Sequence, residues 1–265
     1  MPTDDPADRT GQDRHGLMPQ ARAPIAIYRP AEYEPRYAYP LLVLLHGRGG
    51  DEGQWRQVAS RISRRNYITV SIRGPEVVQR RGDGSLGYGW GQTWPDCREG
   101  EGIAGRYRPP VPSPRQADLG TLSELVFETV ELTKSALHVH PERIFLVGFG
   151  EGAAAAYRLA LGAPTPFAGL VAINGWLPRT RQPIFRLPEA RKLSVLIIHG
   201  LRNRLVPVAE ALSAYRVLYT AGLRVNLKYV NHGHRIGVAT LRLLNSWIMH
   251  LVPTSTARLA RFPDE

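Results

Sequence analysis

The stretch HPERIFLVGFGEGAAAA, residues 140–156, decides the fold. Its first half contains a short apolar run, residues 143–148, that stops at a glycine and is typical of a strand buried on both faces. Its second half begins an alanine-rich segment that predicts a helix from about residue 151 to 161. The two halves meet at GFGEG, residues 148–152, which has the frame of G-x-S-x-G, the turn that lifts a nucleophilic serine above a sheet. The central residue of this frame is Gly150.

Strand-like and helix-like segments alternate on both sides of this stretch. Short apolar runs predict further strands, and a period of about 3.6 residues predicts further helices. Repeated units of this kind predict an α/β fold, with a mostly parallel central sheet, helices on both faces and right-handed connections. The further strands are predicted at 24–30, 40–47, 67–72, 169–175, 193–200 and 224–230, and the further helices at about 52–64, 118–138, 208–221 and 238–251.

This pattern predicts a single folded domain. Residues 1–23 are rich in Asp, Arg, Gly, Gln and Pro without any period, which predicts a flexible N-terminal tail. Residues 24–265 contain no interdomain linker and are expected to form one domain. Within it, residues 75–117 are rich in Gly, Pro and Arg and predict a long inserted loop, either a lid or binding loop or a disordered segment. The aromatic side chains of this loop favour an ordered lid.

The composition is that of a soluble globular protein, with 43% hydrophobic and 22% charged residues. No run approaches the ~18 apolar residues of a membrane span, and the N-terminal residues lack the apolar core of a signal peptide. The single cysteine, Cys97, excludes an internal disulfide and a multi-thiolate metal site. Together these features predict a cytoplasmic protein.

The net charge of +11 raises the question of a polyanionic partner, such as nucleic acid or an anionic membrane surface. All but three of the 34 basic residues are arginines, and they are spread along the chain. The one local concentration, residues 179–204, has seven basic residues and one acidic residue, and we interpret it as a solvated surface. We therefore expect no nucleic-acid partner.

Residues that can carry chemistry follow three of the predicted strands. In open α/β sheets the ligand crevice lies beyond the carboxyl ends of the strands. Gly150 follows the strand at 143–148, Asn203 follows the strand at 193–200, and His234 follows the last strand. Positions in this order match a nucleophile, an acid and a histidine.

The sequence resembles the carboxylesterase/phospholipase group of α/β hydrolases, which includes the acyl-protein thioesterases. The resemblance extends from about Pro40 to His250 and rests on five motifs in the right order. It implies the α/β-hydrolase fold, a small-molecule ligand or acyl ester, and no metal or other cofactor. The motifs are LLHGRGGDE, GYGW, HPERIFLVGFGEGAAAA, IIHGLRNRLVP and the HGH before the last helix.

The resemblance also assigns roles to individual positions. It places the nucleophile at Gly150, where the family has serine, and the acid at Asn203, where the family has aspartate. The base falls on His234, which matches the family. The oxyanion hole is implied to consist of the backbone N–H groups of Arg48 and Glu151, which no change of side chain removes.

Three functions are compatible with these residues. Glycine has no atom that can attack an acyl carbon, so the first is a non-catalytic homologue that uses the cleft for binding or regulation. The second is an ester or thioester hydrolase with a non-standard nucleophile or a water activated by His234. The third, a basic nucleic-acid or membrane-surface binder, rests on the net charge alone.

A ligand of this site is expected to be a small or medium-sized molecule, with an anion favoured by the nearby arginines. We place it between the aromatic part of the long loop and the arginine-rich segment. The oligomeric state is left open by the sequence. The residues expected to contact the ligand are Tyr88, Trp90, Trp94, Arg179, Arg181 and Arg186.

Overall fold

The computed structural model describes residues 22–92, 119–163, 167–178 and 186–252. Strands and helices alternate through most of these residues, as the sequence pattern predicts. In chain order the elements are β1 (Ile25–Tyr28), β2 (Tyr39–Leu45), α1 (Gly53–Ile62), β3 (Ile68–Ile72), β4 (Glu76–Arg80), β5 (Leu86–Gly89), α2 (Leu119–Ala136), β6 (Val139–Phe149), α3 (Glu151–Gly162), β7 (Gly169–Ile173), β8 (Ser194–Gly200), α4 (Val208–Thr220), β9 (Arg224–Val230) and α5 (Val238–Leu251).

A seven-stranded sheet forms the centre of the described fold, in the order β1-β3-β2-β6-β7-β8-β9. Every neighbouring pair is parallel except β1 and β3, which are antiparallel. The inner strands β2, β7 and β8 are buried along their whole length, as expected for a parallel sheet covered on both faces. The predicted α/β fold is confirmed.

Alternate residues of each strand contribute to two cores on opposite faces of the sheet. Along β2, Leu41 and Val43 pack with α2, α3 and α4, whereas Leu42 and Leu44 pack with α1 and α5. The alternation follows from the two-residue period of a strand. The inner strands β2, β7 and β8 are covered on both faces, and the loops at the carboxyl ends of the parallel strands carry the candidate site.

The segment expected as one long loop begins with a hairpin. Strands β4 and β5 pair antiparallel around a turn in which Gly84 has a φ of 83°, a value that favours glycine. The N–H of Gly49 donates to the carbonyl of Tyr88, and the N–H of Tyr88 donates to the carbonyl of Gly50, so the hairpin packs against the loop after β2. Residues 93–117 of the expected loop, and residues 1–21 of the expected tail, lie outside the described residues.

Within the described residues, no helix has the length and apolar character needed to cross a membrane.

The contact between α3 and β2 yields a test of the fold. A Cβ atom on Gly152 would lie 2.4 Å from the carbonyl oxygen of His46 and 2.5 Å from that of Leu45, which are rigid backbone atoms. We expect Gly152→Ala to lower the free energy of unfolding by about 1–3 kcal/mol, measured by urea denaturation. Gly82→Ala is the matched control, because no atom lies within 4 Å of its Cβ position. Equal stability of the two variants would contradict this tight contact.

Candidate active site

The turn between β6 and α3 has the backbone shape of a strand-to-helix elbow. Gly150 adopts a φ of 56° and a ψ of −119°, a region in which an L side chain is strained and glycine is not. Its N–H donates to the carbonyl of Ile173, and its own carbonyl accepts from Ala153 in the first turn of α3. The elbow is therefore fixed by its neighbours although the central side chain is missing.

His234 lies directly over the elbow. A Cβ atom built on Gly150 would lie 3.1 Å from Nε2 and 3.3 Å from Cε1 of the imidazole. The ring also packs against Phe149, with 4.7 Å between the two ring centroids. The structure thus brings the nucleophile position and the histidine together, and the histidine ring extends close to the volume that a serine side chain would need.

Asn203 contacts the other side of the same imidazole. Its Oδ1 accepts hydrogen bonds from the backbone N–H groups of Leu205 at 3.0 Å and Val206 at 3.1 Å. Two N–H donors require an acceptor, so the oxygen of this amide must face the loop and the nitrogen must face the histidine. Nδ2 lies 3.1 Å from Nδ1 of His234.

This orientation of Asn203 sets the tautomer of His234. An amide nitrogen only donates, so Nδ1 of the imidazole has to accept and carries no proton. The proton of the neutral ring is then on Nε2, the atom that faces Gly150. Burial, together with the nearby His199, lowers the pKa of His234 to about 4 and keeps the ring neutral near pH 7. At the nucleophile position His234 is therefore a hydrogen-bond donor.

Two further histidines at strand ends have structural contacts. Nε2 of buried His199 lies 3.0 Å from the carbonyl oxygen of Val206 and donates to it, which ties the loop after β8 to the strand. His46 donates from Nδ1 to Gly47 and accepts the N–H of Gly74 at Nε2, each at 2.8 Å. Burial lowers the pKa of His46 to about 4. Among the described residues no group of His, Cys, Asp and Glu side chains forms a metal site.

The loop after β2 is held in place by side chains that the sequence did not single out. The N–H of Gly47 donates to Oε1 of Gln54, and Arg81 donates to the carbonyl of Gly49. Arg81 also forms an ion pair with Asp51, at 2.7 Å. The two contacts of Arg81 are long-range in sequence, which is why no local motif predicts them.

A buried ion pair joins the two residues implied as oxyanion donors. Nη1 of Arg48 lies 3.3 Å from Oε1 of Glu151, and their side chains are 7% and 0% exposed. The N–H of Gln92 donates to the same carboxylate oxygen at 3.0 Å. Burial raises the pKa of Glu151, and the Arg48 guanidinium opposes that rise. The backbone N–H of Glu151 lies in the first turn of α3, where an N–H has no partner within the helix.

Asn174 connects the loops that carry the other site residues. Its Oδ1 accepts the N–H of Gly200, and its Nδ2 donates to the carbonyl of Arg235 at 3.1 Å. Its φ of 53° lies in the left-handed region, which asparagine tolerates better than most residues. The sequence offered one signal for this role, a polar residue directly after an apolar strand.

The residues expected to contact a ligand are only partly at the elbow. Tyr88 lies in β5 beside the loop after β2, under the guanidinium of Arg73. Trp90 is fully buried, and its indole N–H donates to the carbonyl of His46. Trp94, Arg179 and Arg181 lie outside the described residues.

The backbone of Arg186 lies far from the elbow, and a contact of its side chain with a ligand stays a prediction. Its backbone N–H donates to the carbonyl of Leu161, in the last turn of α3. Because α3 begins at the elbow and rises about 1.5 Å per residue, Leu161 lies about 15 Å along the helix from Glu151. Arg186 therefore lies at the far end of α3, on the side of the sheet where the parallel strand β8 begins.

Comparison with known proteins agrees with the fold. The model of the phospholipase/carboxylesterase family matches residues 113–252, which include Gly150, Asn203 and His234. The chain belongs to this family. The family thus accounts for more than half of the chain, and the match covers the elbow and the loops after β8 and β9.

Curated relatives in the family include esterases from plants. Carboxylesterase SOBER1 of Arabidopsis thaliana is 31% identical over 120 residues, which are 44% of this chain and 53% of that protein. A probable inactive carboxylesterase of Oryza sativa subsp. japonica is 26% identical over 122 residues, 45% of this chain and 50% of that protein. The chain thus spans about half the length of the curated relatives it matches.

Solved structures share the fold at low sequence identity. Zea mays acyl-protein thioesterase 2 has a TM-score of 0.63 and 18% identity, over 86% of this chain and 99% of that one. A carboxylesterase of Bacillus cereus has a TM-score of 0.62 and 20% identity, over 88% and 96% of the two chains. These similarities establish the α/β-hydrolase fold.

The tautomer of His234 can be measured directly. Long-range ¹H–¹⁵N correlation spectra of the folded protein should show His234 protonated at Nε2, with the signal assigned by its loss in His234→Gln. In Asn203→Asp the carboxylate accepts at Nδ1, so the proton should move to Nδ1 and the pKa of His234 should rise. His199 serves as an internal control, because its Nε2 proton is held by Val206 in both proteins. A proton on Nδ1 in the unchanged protein would refute the assigned orientation of Asn203.

The buried His46 predicts a loss of stability in mild acid. Its pKa is about 4 in the folded state and 6.5 ordinarily, so between these values only the unfolded chain binds the proton. The free energy of unfolding should fall by roughly 1 kcal/mol per pH unit from this residue as the pH drops from about 6.5 to about 4. Urea denaturation across this range should give a shallower slope for His46→Gln. His250→Gln, at an exposed position, should keep the original slope.

Proposed function

We propose that this protein is a binding or regulatory member of the phospholipase/carboxylesterase family, without efficient hydrolase activity. The observation that carries the proposal is the pairing of Gly150 with a neutral His234 that presents a proton rather than a lone pair. Both requirements of acyl transfer, a nucleophile and a base that accepts its proton, are then unmet at the elbow.

A water molecule does not replace the missing serine in this arrangement. To activate water, Nε2 of His234 must accept a proton, which requires the proton to be on Nδ1 instead. That tautomer would place an N–H against the N–H₂ of Asn203 at 3.1 Å, and the amide cannot turn round because Leu205 and Val206 hold its oxygen. The loop after β8 therefore works against general-base catalysis.

The remaining groups favour a ligand that accepts hydrogen bonds. Nε2–H of His234 and the N–H of Glu151 at the start of α3 are both donors beside the empty position of the serine side chain. A carbonyl or carboxylate oxygen satisfies them, so an acyl ester or the corresponding acid is the ligand class we propose. The name of the rice relative, a probable inactive carboxylesterase, is consistent with a family member of this kind.

Restoring the missing side chains tests the proposal. We expect the unchanged protein not to hydrolyse p-nitrophenyl esters above the rate of its His234→Ala variant. Gly150→Ser alone should gain little hydrolase activity. Its Cβ lies too close to the imidazole, and Asn203 still keeps the proton of His234 on Nε2, where the ring cannot accept a proton from serine. Adding Asn203→Asp should raise turnover by up to about 10⁴-fold over Gly150→Ser. This is the factor by which turnover falls when the triad aspartate of a serine protease is replaced by asparagine.

His234→Ala in the double variant is the control and should abolish the restored turnover. Turnover by the unchanged protein that is lost in His234→Ala would instead establish a hydrolase with a non-standard nucleophile or a His234-activated water, and would overturn the proposal.

A further inference from the structure

The loops that follow β8 and β9 form one continuous surface beside the elbow. We call this surface the β8/β9 rim and define it as residues 201–207 and 231–238. Backbone hydrogen bonds join the two loops, from Leu201 to Val230 at 2.9 Å and from Arg202 to His232 at 3.1 Å. The side chain of Arg202 also donates to the carbonyl of Asn231 at 2.9 Å. The rim is therefore a fixed surface, and its residues keep their relative positions.

The rim combines exposed apolar side chains with arginines. Leu201 is 53% exposed, Leu205 36% and Val238 56%, so three large apolar side chains of the rim face solvent. Each of these apolar residues has an exposed arginine next to it or three residues away in the sequence. These arginines are Arg202, Arg204 and Arg235.

Acidic side chains are nearly absent from this part of the chain. From Gly200 to Leu251 there are seven basic residues and one acidic residue, Glu210, in the first turn of α4. The described ion pairs all involve basic residues elsewhere in the fold. A positive surface that also carries exposed apolar side chains complements an anionic bilayer, in which phosphates meet the arginines and acyl chains receive the apolar side chains.

We propose that the β8/β9 rim docks on an anionic lipid bilayer and places the elbow at the membrane surface. The apolar residues favour a bilayer over a nucleic acid, because a nucleic-acid surface gains its contacts from phosphates and from aromatic stacking rather than from exposed leucine and valine. The exposed leucine, valine and arginine side chains of the rim take no part in the chemistry proposed for Gly150 and His234. The inference therefore stands whether the site beside it binds a ligand or hydrolyses one.

Vesicle sedimentation with the full chain tests this surface. The protein should bind vesicles of equal parts phosphatidylglycerol and phosphatidylcholine, and should not bind phosphatidylcholine alone. Arg202→Gln, Arg204→Gln and Arg235→Gln together should weaken binding about 100-fold, from roughly 1 kcal/mol for each basic residue at the surface. Leu201→Ser, Leu205→Ser and Val238→Ser together should weaken it about tenfold or more at unchanged net charge.

Matched variants away from the rim control for charge and for exposed apolar area. Arg216→Gln, Lys228→Gln and Arg242→Gln remove the same charge from exposed positions on α4, β9 and α5. Val77→Ser and Val217→Ser remove exposed apolar side chains from β4 and α4. Both controls should bind within about threefold of the unchanged protein, and unfolding curves should show that every variant is folded.

Three outcomes would overturn the proposal. The first is no binding of the unchanged protein to the anionic vesicles at low salt. The second is an equal loss of vesicle binding in the Arg216, Lys228 and Arg242 control. This result would indicate that binding depends on net charge and not on a defined surface. The third is salt-sensitive binding to DNA together with full vesicle binding by the Leu201, Leu205 and Val238 variant, which would indicate a nucleic-acid surface.

Discussion

The first turn of α3 presses on the carboxyl ends of β2 and β6, and the other parts of the site take their positions from this contact. A Cβ on Gly148 would lie 2.2 Å from the carbonyl of Gly152, and one on Gly152 would meet the end of β2. Two of the three glycines in the elbow are thus required by packing, whatever residue lies between them. The shape of the turn therefore does not depend on a serine at its centre, and glycine at position 150 relieves the strain of the positive φ.

The chemistry of the site is inverted although its geometry is kept. In a working triad the acid accepts from the imidazole, and the imidazole accepts from the nucleophile. Here Asn203 donates to His234, and His234 donates towards Gly150. One change at the acid position is sufficient to reverse both hydrogen bonds, because the loop after β8 fixes the amide oxygen with two backbone donors.

The sequence predicts the sheet, its helices and the proximity of Gly150, Asn203 and His234 because these depend on periodicity and on residues that follow strands. It does not predict which end of an amide faces the histidine, since that is decided by the N–H groups of a particular loop. The sequence also does not predict the ion pair between Arg48 and Glu151, because the two residues are far apart in the chain and meet only in the folded protein. The contact of Arg186 with the end of α3 was also not predicted, because a basic segment after a strand has no signal for the direction in which it leaves.

The absence of an atom beyond the backbone at Gly150 has a consequence for how this protein is detected. Fluorophosphonate probes and related reagents label serine hydrolases by forming a bond to the nucleophilic hydroxyl at the elbow. Glycine offers no oxygen to phosphonylate, so activity-based profiling of a proteome would pass over this chain while it labels relatives with the same fold. Under the proposed function, a ligand at the elbow forms no covalent bond to Gly150, so occupancy of the site is reversible and follows the concentration of free ligand.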